Sequence, residues 1–382
     1  MVTDGQDQRQ RFISDLLTDR WTMSALCQRY GISRPTGYLW RARYEARGAA
    51  GLAARSSAPH ACPHRTAPDI EAQIVAARRK LAWGAKKLRV YLQAHRPTEA
   101  WPAESTFNDI LDRHGLLQKQ RRRQVWAHPG RTVLASAAPN DIWPADFKGQ
   151  FKIRDGQYCF PLTVTDHFSR RLMACRGLAG IGVADTRAVF LGLFRAYGLP
   201  RAIRTDNGLP FAGPGLQGLS SLNVWWMQLE ITHHRNRPGC PQDNGTHERM
   251  HRELKRFTTP PPASSARAQQ QRFDRFRRRY NAERPHEGIG QRTPDSLWVA
   301  SPRAFPEGRL TPHYEAALEV RRVSRGGTVS WQGGVVFLSE VLRGEDVAFE
   351  PVDDDCWNIV YYRTLVARWD ARTRLLTSAY SA

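Results

Sequence analysis

Three carboxylates are the residues of this chain best placed to do chemistry. Asp146 lies in Ile142-Trp-Pro-Ala-Asp-Phe-Lys-Gly149, Asp206 in Ala202-Ile-Arg-Thr-Asp-Asn-Gly208, and Glu248 in Asn244-Gly-Thr-His-Glu-Arg-Met-His-Arg252. The settings of the two aspartates read as strand ends; the glutamate falls near the start of a helix, where the macrodipole favours a carboxylate. Such a set can hold two divalent cations. Mg²⁺ takes octahedral oxygen ligation and keeps several waters, so few protein carboxylates suffice; Mn²⁺ can substitute. Two ions roughly 3.5–4 Å apart serve transfer at a phosphodiester, one activating a water or 3′-hydroxyl and the other stabilising the leaving oxygen. In this reading Asp146 bridges both ions, Asp206 completes one and Glu248 the other. Asn207-Gly208 permits a sharp turn at the strand end. Arg252 and Lys255 lie on nearly the same helix face as Glu248 and suit the phosphate of a bound strand. Asp166, in Thr-Asp-His-Phe-Ser, reads instead as a turn or cap.

The charge balance supports a polyanionic substrate. The 382 residues carry 57 Lys+Arg against 36 Asp+Glu, a formal net charge of +21. Residues 1–138 hold 23 basic and 11 acidic groups, 139–300 hold 24 and 14, and 301–382 hold 10 and 11. The excess therefore lies over the first two segments, where double-stranded DNA would be gripped. No run of eighteen apolar residues occurs, which argues against a membrane span. The polar start Met1–Gln8 lacks an apolar signal region, and the six cysteines form no CxxC pair. A cytoplasmic, nucleoid-associated protein with reduced thiols is expected. His60-Ala-Cys62-Pro-His64 offers three zinc-ligand types but no paired spacing and no fourth ligand, and reads as linker.

These groups need elements to position them, and the length allows about two to four domains. Residues 8–48 read as three helices, roughly Gln8–Thr18, Thr22–Tyr30 and Arg34–Ala46, with the turn Gly31-Ile32 and a Ser33 cap. Helix, glycine turn, helix is the helix-turn-helix pattern, whose second helix enters the major groove. Arg34, Thr36, Tyr38, Arg41 and Arg43 would face DNA. A second, possibly winged, helix-turn-helix is expected from helices over Asp69–Leu81, Ala85–Gln93 and Pro102–Arg113. It offers Ser105, Thr106 and Asn108 to DNA. The basic run Arg121, Arg122 and Arg123 in the following linker can track phosphates.

From 139 onward, strands over Asp141–Ile153, Cys159–Thr165 and from Arg171 precede a helix over Val183–Tyr197. Short strands at Arg201–Thr205 and Leu229–His233 then alternate with helices, the last two over Gln242–Phe257 and Ala266–Asn281. This describes an α/β core with a mixed sheet. After Ser301–Pro312, six short strands with glycine turns predict a small SH3-like β-barrel. The expected domains are 1–55, 67–120, a basic linker 121–138, 139–300 and 316–375. Trp225 and Trp226 read as core or oligomer contacts, and some tryptophans of the last unit as contacts to a partner chain.

The motifs around the three carboxylates resemble those of the DDE transposases of bacterial insertion sequences, whose catalytic core is shared with retroviral integrases. Tyr280-Asn-Ala-Glu-Arg-Pro-His-Glu287 resembles the segment that closes that core, and Tyr30-Gly-Ile-Ser33 extends the likeness upstream. The resemblance implies an RNase H-like fold, dependence on Mg²⁺, hydrolysis at element ends, joining of the freed 3′-hydroxyl to target DNA, and a homo-oligomer holding paired ends. The spacing departs from the family: 41 residues separate Asp206 from Glu248 where the family has about thirty-five. Ala212–Leu222 is expected to absorb the excess as a surface excursion, since loop insertions cost little free energy. A DNA-binding regulator with a silent core, or a nuclease that cuts without joining, remains an alternative.

Overall fold

The structure is a computed structural model that describes residues 5–54, 65–117, 136–213, 218–237, 245–308 and 310–378. It divides into two compact units, Met1–Ala67 and Pro68–Ala382. The possible zinc ligands at 60–64 and the basic run at 121–123 lie outside the described residues.

In the first unit, α1 (Gly5–Leu17), α2 (Met23–Tyr30) and α3 (Arg34–Arg47) are followed by a 3₁₀ turn, Gly48–Leu52. The Thr22 hydroxyl accepts from Ala25 N and that of Ser33 from Thr36 N, so each cap satisfies an orphan helical donor. Gly31 closes α2 with φ +64°, a conformation that favours glycine. Phe12, Ile13, Leu26, Cys27 and Leu52 form the core. A Cβ on Gly37 would lie 2.6 Å from Cys27 Sγ, so glycine is what lets α3 lie directly on α2.

The second unit begins with α4 (Pro68–Leu81), α5 (Ala85–His95) and α6 (Glu104–Arg113). They enclose a core that includes Ile74, Leu81, Leu88, Phe107, Ile110 and Leu111. No wing strand follows α6 among the described residues. The central sheet comprises β1 (Ile142–Phe147), β2 (Phe151–Lys152), β3 (Tyr158–Thr165) and β4 (Leu172–Leu178), then β5 (Ala202–Thr205) and β6 (Thr232–Arg235). Its helices are α7 (Val183–Tyr197), α8 (Ser221–Gln228), α9 (Gly245–Thr258) and α10 (Ala266–Ala282). The strands run in the order β4-β3-β1-β5-β6, with β2 paired to the start of β3. β1, β3 and β4 are antiparallel neighbours, whereas β1-β5 and β5-β6 are parallel. The single strand expected over 141–153 is broken at Lys148–Gln150, where Gly149 turns the chain at φ +76°.

Alternation along β3 assigns the faces. Leu162 and Val164 join Trp143, Phe190, Phe194 and Trp226 in one core beneath α7 and α8. Cys159 packs with Met250, Leu254, Phe273 and Phe276 under α9 and α10. Trp226 is fully buried and Trp225 nearly so; both are core. Leu219 and Leu222 are also buried, so the expected surface excursion over 212–222 is narrower than its sequence suggests.

β4 is an edge strand, and α10 caps it with side chains. Asn281 accepts from Leu172 N at 2.8 Å and donates to Leu172 O at 3.0 Å. Gln270 accepts from Gly177 N at 2.9 Å and donates to Cys175 O at 3.0 Å; Arg277 donates to Met173 O at 3.2 Å. The helix thus blocks the pairing groups through which a bare edge recruits further strands.

The C-terminal strands are β7 (Glu319–Arg322), β8 (Thr328–Trp331), β9 (Gly334–Phe337), β10 (Asp346–Asp353), β11 (Cys356–Tyr361), β12 (Thr364–Asp370) and β13 (Leu375–Ser378). They do not close into the expected barrel. An open antiparallel sheet, β13-β12-β11-β10-β7, faces the separate hairpin β8-β9. The layers meet through Trp331, stacked on Phe349 at 3.9 Å, and through Trp357, so packing buries the apolar faces without ladder closure. These tryptophans serve the unit's own core, which also takes in Leu219, Val224 and Met227. They are not left for a partner chain.

Asn281→Leu should remove both bonds to Leu172 and leave a buried N–H and C=O unpaired. The expected loss is about 1–3 kcal/mol, measured as a lower urea midpoint, with faster hydrogen exchange at the Leu172 amide. Unchanged exchange would mean that the edge is held by other contacts.

Candidate active site

Asp146 stands near the end of β1, opposite Thr163 of β3. The adjacent parallel strand β5 pairs Arg204 with Pro144. The ladder ends there, so Asp146 and Asp206 each lie two residues past the last paired position of adjoining parallel strands. The period of two puts Asp146, opposite Thr163, on the α9 face of the sheet. The Asp146 side chain is 17% exposed, and Asp206 is exposed. Asp206 begins a turn in which its Oδ1 accepts from Gly208 N at 3.2 Å. Asn207 donates to Asn236 O at 2.9 Å, tying the turn to the chain beyond β6.

The third carboxylate rides on α9. That helix is seated by His247 and His251, both buried, which flank the exposed Glu248. Thr163 Oγ1 donates to Asp146 O at 3.0 Å, and the Nε2 atoms of His247 and His251 each lie 2.7 Å from the same oxygen. One hydroxyl has one proton and two lone pairs, so this arrangement needs both imidazoles to donate from Nε2. His247 Nδ1 is then the acceptor facing Thr165 Oγ1 at 3.3 Å. His251 Nδ1 lies 3.8 Å from Asp146 Oδ2, beyond hydrogen-bonding distance. Burial holds His247 down to about 3 and His251 to about 2, so both are neutral. A parallel relay supports Asp206. Asn223 donates to His233 Nδ1 at 3.2 Å, His233 Nε2 donates to Thr205 Oγ1 at 2.9 Å, and that hydroxyl donates to Asp206 O at 2.9 Å.

Asp146 and Asp206 suit a hard divalent cation in donor type and in placement on adjoining strand ends. Among the described residues, however, no three of His, Cys, Asp and Glu are gathered closely enough to hold a metal ion. Glu248 is thus on the helix pinned to the strand of Asp146, but the three carboxylates do not converge in this conformation. Asp166 is structural, accepting from Asn140 N, Ser169 N and Ser169 Oγ at 2.6–2.8 Å. The seam of Thr163, Thr165, His247 and His251 was not expected. Its signal was the i, i+4 histidine pair around Glu248 opposite alternate threonines.

The residues expected to contact DNA are distributed unevenly. On α3, Arg34, Tyr38 and Arg41 are exposed along one ridge, Arg41 being paired with Glu45 at 2.7 Å. Thr36 bonds Ser33 at 2.8 Å, and Arg43 is partly buried. On α6, Ser105 is exposed and Thr106 half-buried, while Asn108 lines a groove with Lys86, Lys87, Glu253 and Glu287. Lys86 reaches Glu287 at 3.3 Å. Arg252 and Lys255 are exposed on α9.

The described residues hold a mixed α/β sheet, preceded in the chain by two three-helix segments. Integrase core domain families match residues 136–241 and 229–294, and homeodomain-like families match 6–53 and 36–111. The chain is also similar to proteins of bacterial insertion elements. It is 29% identical over 209 residues to the 39.2 kDa protein of insertion element IS476 from Xanthomonas euvesicatoria, covering 51% of this chain and 55% of that one. It is 27% identical over 252 residues to the 31.7 kDa protein of insertion element IS407 from Burkholderia multivorans, covering 62% and 84%. The chain therefore spans little more than half the length of the first relative. Looser likenesses are to the HTLV-2 integrase catalytic core domain in complex with magnesium and to a simian T-cell lymphotropic virus intasome. The first has TM-score 0.34 and 18% identity, covering 43% of this chain and 99% of that one; the second has 0.39 and 16%, covering 80% and 98%.

Three further buried imidazoles make the fold acid-sensitive. Burial, with Arg170 and Arg204, pushes His167 down to about 4; burial, with Arg235 and His234, takes His233 to about 3; burial, with Arg284 and Lys87, takes His286 to about 2. The unfolded chain takes up these protons first, near 6.5, so stability is full above that value and falls as the pH drops toward about 4. Urea unfolding at stepped pH should show the midpoint declining across that window. A flat profile would show these rings to be solvated.

Proposed function

We propose that the chain is a transposase that binds the ends of an insertion sequence, hydrolyses a phosphodiester there and joins the freed 3′-hydroxyl to target DNA. The observation that supports this reading is that Asp146 and Asp206 each lie two residues past the last paired position of adjacent parallel strands. Asp146 and Asp206, with Glu248 as the third donor, would hold two Mg²⁺ ions, or Mn²⁺ in their place. Bound there, the ions would activate the attacking oxygen and stabilise the leaving one in an in-line transesterification. The chain's own residues would do the positioning. Thr163 holds the Asp146 backbone against α9 and so fixes the helix that bears Glu248. Asn223, His233 and Thr205 hold the Asp206 backbone. Arg252 and Lys255 would neutralise the phosphate of the bound strand. Arg34, Tyr38 and Arg41 would face the major groove at the element end, and a homo-oligomer would hold two such ends.

The lack of convergence among the three carboxylates favours one second reading, a DNA-binding regulator whose core is silent. A joining assay separates the two, using purified protein, Mg²⁺ or Mn²⁺, labelled duplexes from the DNA flanking the gene, and a plasmid target. Metal-dependent joined products are expected. Asp146→Ala, Asp206→Ala and Glu248→Ala should each reduce joining by at least about 100-fold, of the order of other single catalytic deletions, while end binding persists. Specific binding with neither nicking nor joining by the wild type would select the regulator; full joining by the variants would reject the site assignment.

A further inference from the structure

The outer face of α10 takes no part in the chemistry above. The helix carries six arginines, at 267, 272, 275, 277, 278 and 279, against one acid, Asp274. Its packing is supplied by Gln269, Phe273, Phe276, Tyr280 and Asn281, which are buried. Arg277 is used against β4, Arg272 donates to Pro261 O, and Asp274 is engaged by Gln270 at 3.0 Å. Arg267, Arg275 and Arg278 remain exposed, with no acidic partner among the described residues.

A second feature joins this ridge to α9. The guanidinium of Arg279 lies 4.4 Å from the centre of the Phe257 ring, and that of Arg256, from α9, lies 5.8 Å from the same ring. One aromatic ring therefore draws cations from both helices together. Like charges concentrated in this way destabilise the folded chain unless a polyanion neutralises them.

We propose that Arg267, Arg275 and Arg278, with Arg256 and Arg279 beside them, form a second grip on the phosphate backbone of duplex DNA, separate from the edge that bears Asp146 and Asp206. β4, which α10 covers, is two strands from β1, about 10 Å across the sheet. From Arg267 to Arg278 the ridge is about 16 Å long at helical rise, enough to cross a major groove about 12 Å wide and reach phosphates on both sides. Arginine's planar fork suits such oxygens. Phosphate contacts carry no sequence information directly, so the surface would hold DNA in place and leave recognition to other elements. The inference rests on DNA being the substrate.

The test is binding of a random-sequence 30-base-pair duplex to the full chain, followed by fluorescence anisotropy over a salt series. The triple variant Arg267→Ala, Arg275→Ala, Arg278→Ala gives up three phosphate contacts. It should lower the slope of log K against log salt by about 2.7 and weaken binding by at least about ten-fold at low salt. The corresponding triple lysine variant should keep most of the slope. The control triple Arg325→Ala, Arg343→Ala, Arg372→Ala removes equal charge from exposed positions of the C-terminal unit and should leave the slope near wild type. Circular dichroism checks that each variant is folded. An unchanged slope in the α10 triple, or an equal fall in the control, overturns the proposal. Joining that depends on Asp146 and Asp206, with wild-type binding by the α10 triple, would defeat this surface alone. A specific loss of slope without any joining would defeat the catalytic reading alone.

Discussion

Two uncharged imidazoles sharing one hydroxyl hold α9 against the sheet. Thr163 Oγ1 has a single proton, which goes to the carbonyl of Asp146, so His247 and His251 must both approach as donors. A charge on either ring would have to be buried, and the Asp146 carboxylate, 3.8 Å from His251 Nδ1, lies beyond hydrogen-bonding distance to answer it. The seam is thus specific in register as well as in protonation: sliding α9 by one turn would remove both rings from the one hydroxyl able to receive them. The same contact links the backbone of Asp146 to the helix of Glu248, so packing and site geometry are not separable here. Replacing this seam with apolar residues would keep the burial but remove the directional constraint.

Elsewhere in the second unit, side chains repeatedly take over backbone duties. Asn140 Oδ1 accepts from the indoles of Trp143 and Trp298, both at 3.2 Å, drawing the segment after the core onto β1. Arg303 donates to the carbonyls of Pro200 and Leu229, each at 2.9 Å, at the two chain reversals that flank β5 and β6. Arg284 is buried and paired with Glu253, with His286 beside it. Arginine in this chain thus has two distinct uses. Where it is buried or half-buried it closes orphan carbonyls or answers a single acid; along the outer face of α10 it stands exposed without an acidic partner among the described residues.

The local elements were legible because their signals are local. Thr22, Gly31 and Ser33 mark the ends of α2 and α3 through capping alone, and the apolar period of α7 gives its bounds directly. The positions of Asp146 and Asp206 at strand ends were equally readable. What escaped depended on contacts far apart in the chain. The histidines of α9 look like part of a charged surface helix until Thr163, 84 residues earlier than His247, is placed beneath them. Leu219 and Leu222 sit in a glycine-rich stretch that reads as loop, yet they are buried against their neighbours. β13 was missed because Leu375-Leu-Thr-Ser378 shows no clean alternation, and its pairing with β12 supplies what its own pattern lacks. Ladder closure in the C-terminal unit could not be read either, since six short strands with glycine turns suit an open sheet facing a hairpin as well as a barrel.

The cap on β4 also has an order in time. Its hydrogen bonds join residues 93 to 109 positions apart, and the capping side chains are always the later ones. At about 5–20 residues per second of synthesis, β4 leaves the ribosome roughly 5–20 s before the helix that covers it. During that interval a growing chain can already pair β3 with β4 while the outer edge is still open to any neighbouring strand. Nascent copies on one message are close together, so this interval is when they would be most prone to join edge to edge. Arrival of α10 ends it, replacing a promiscuous backbone edge with three side chains that fit only their own strand.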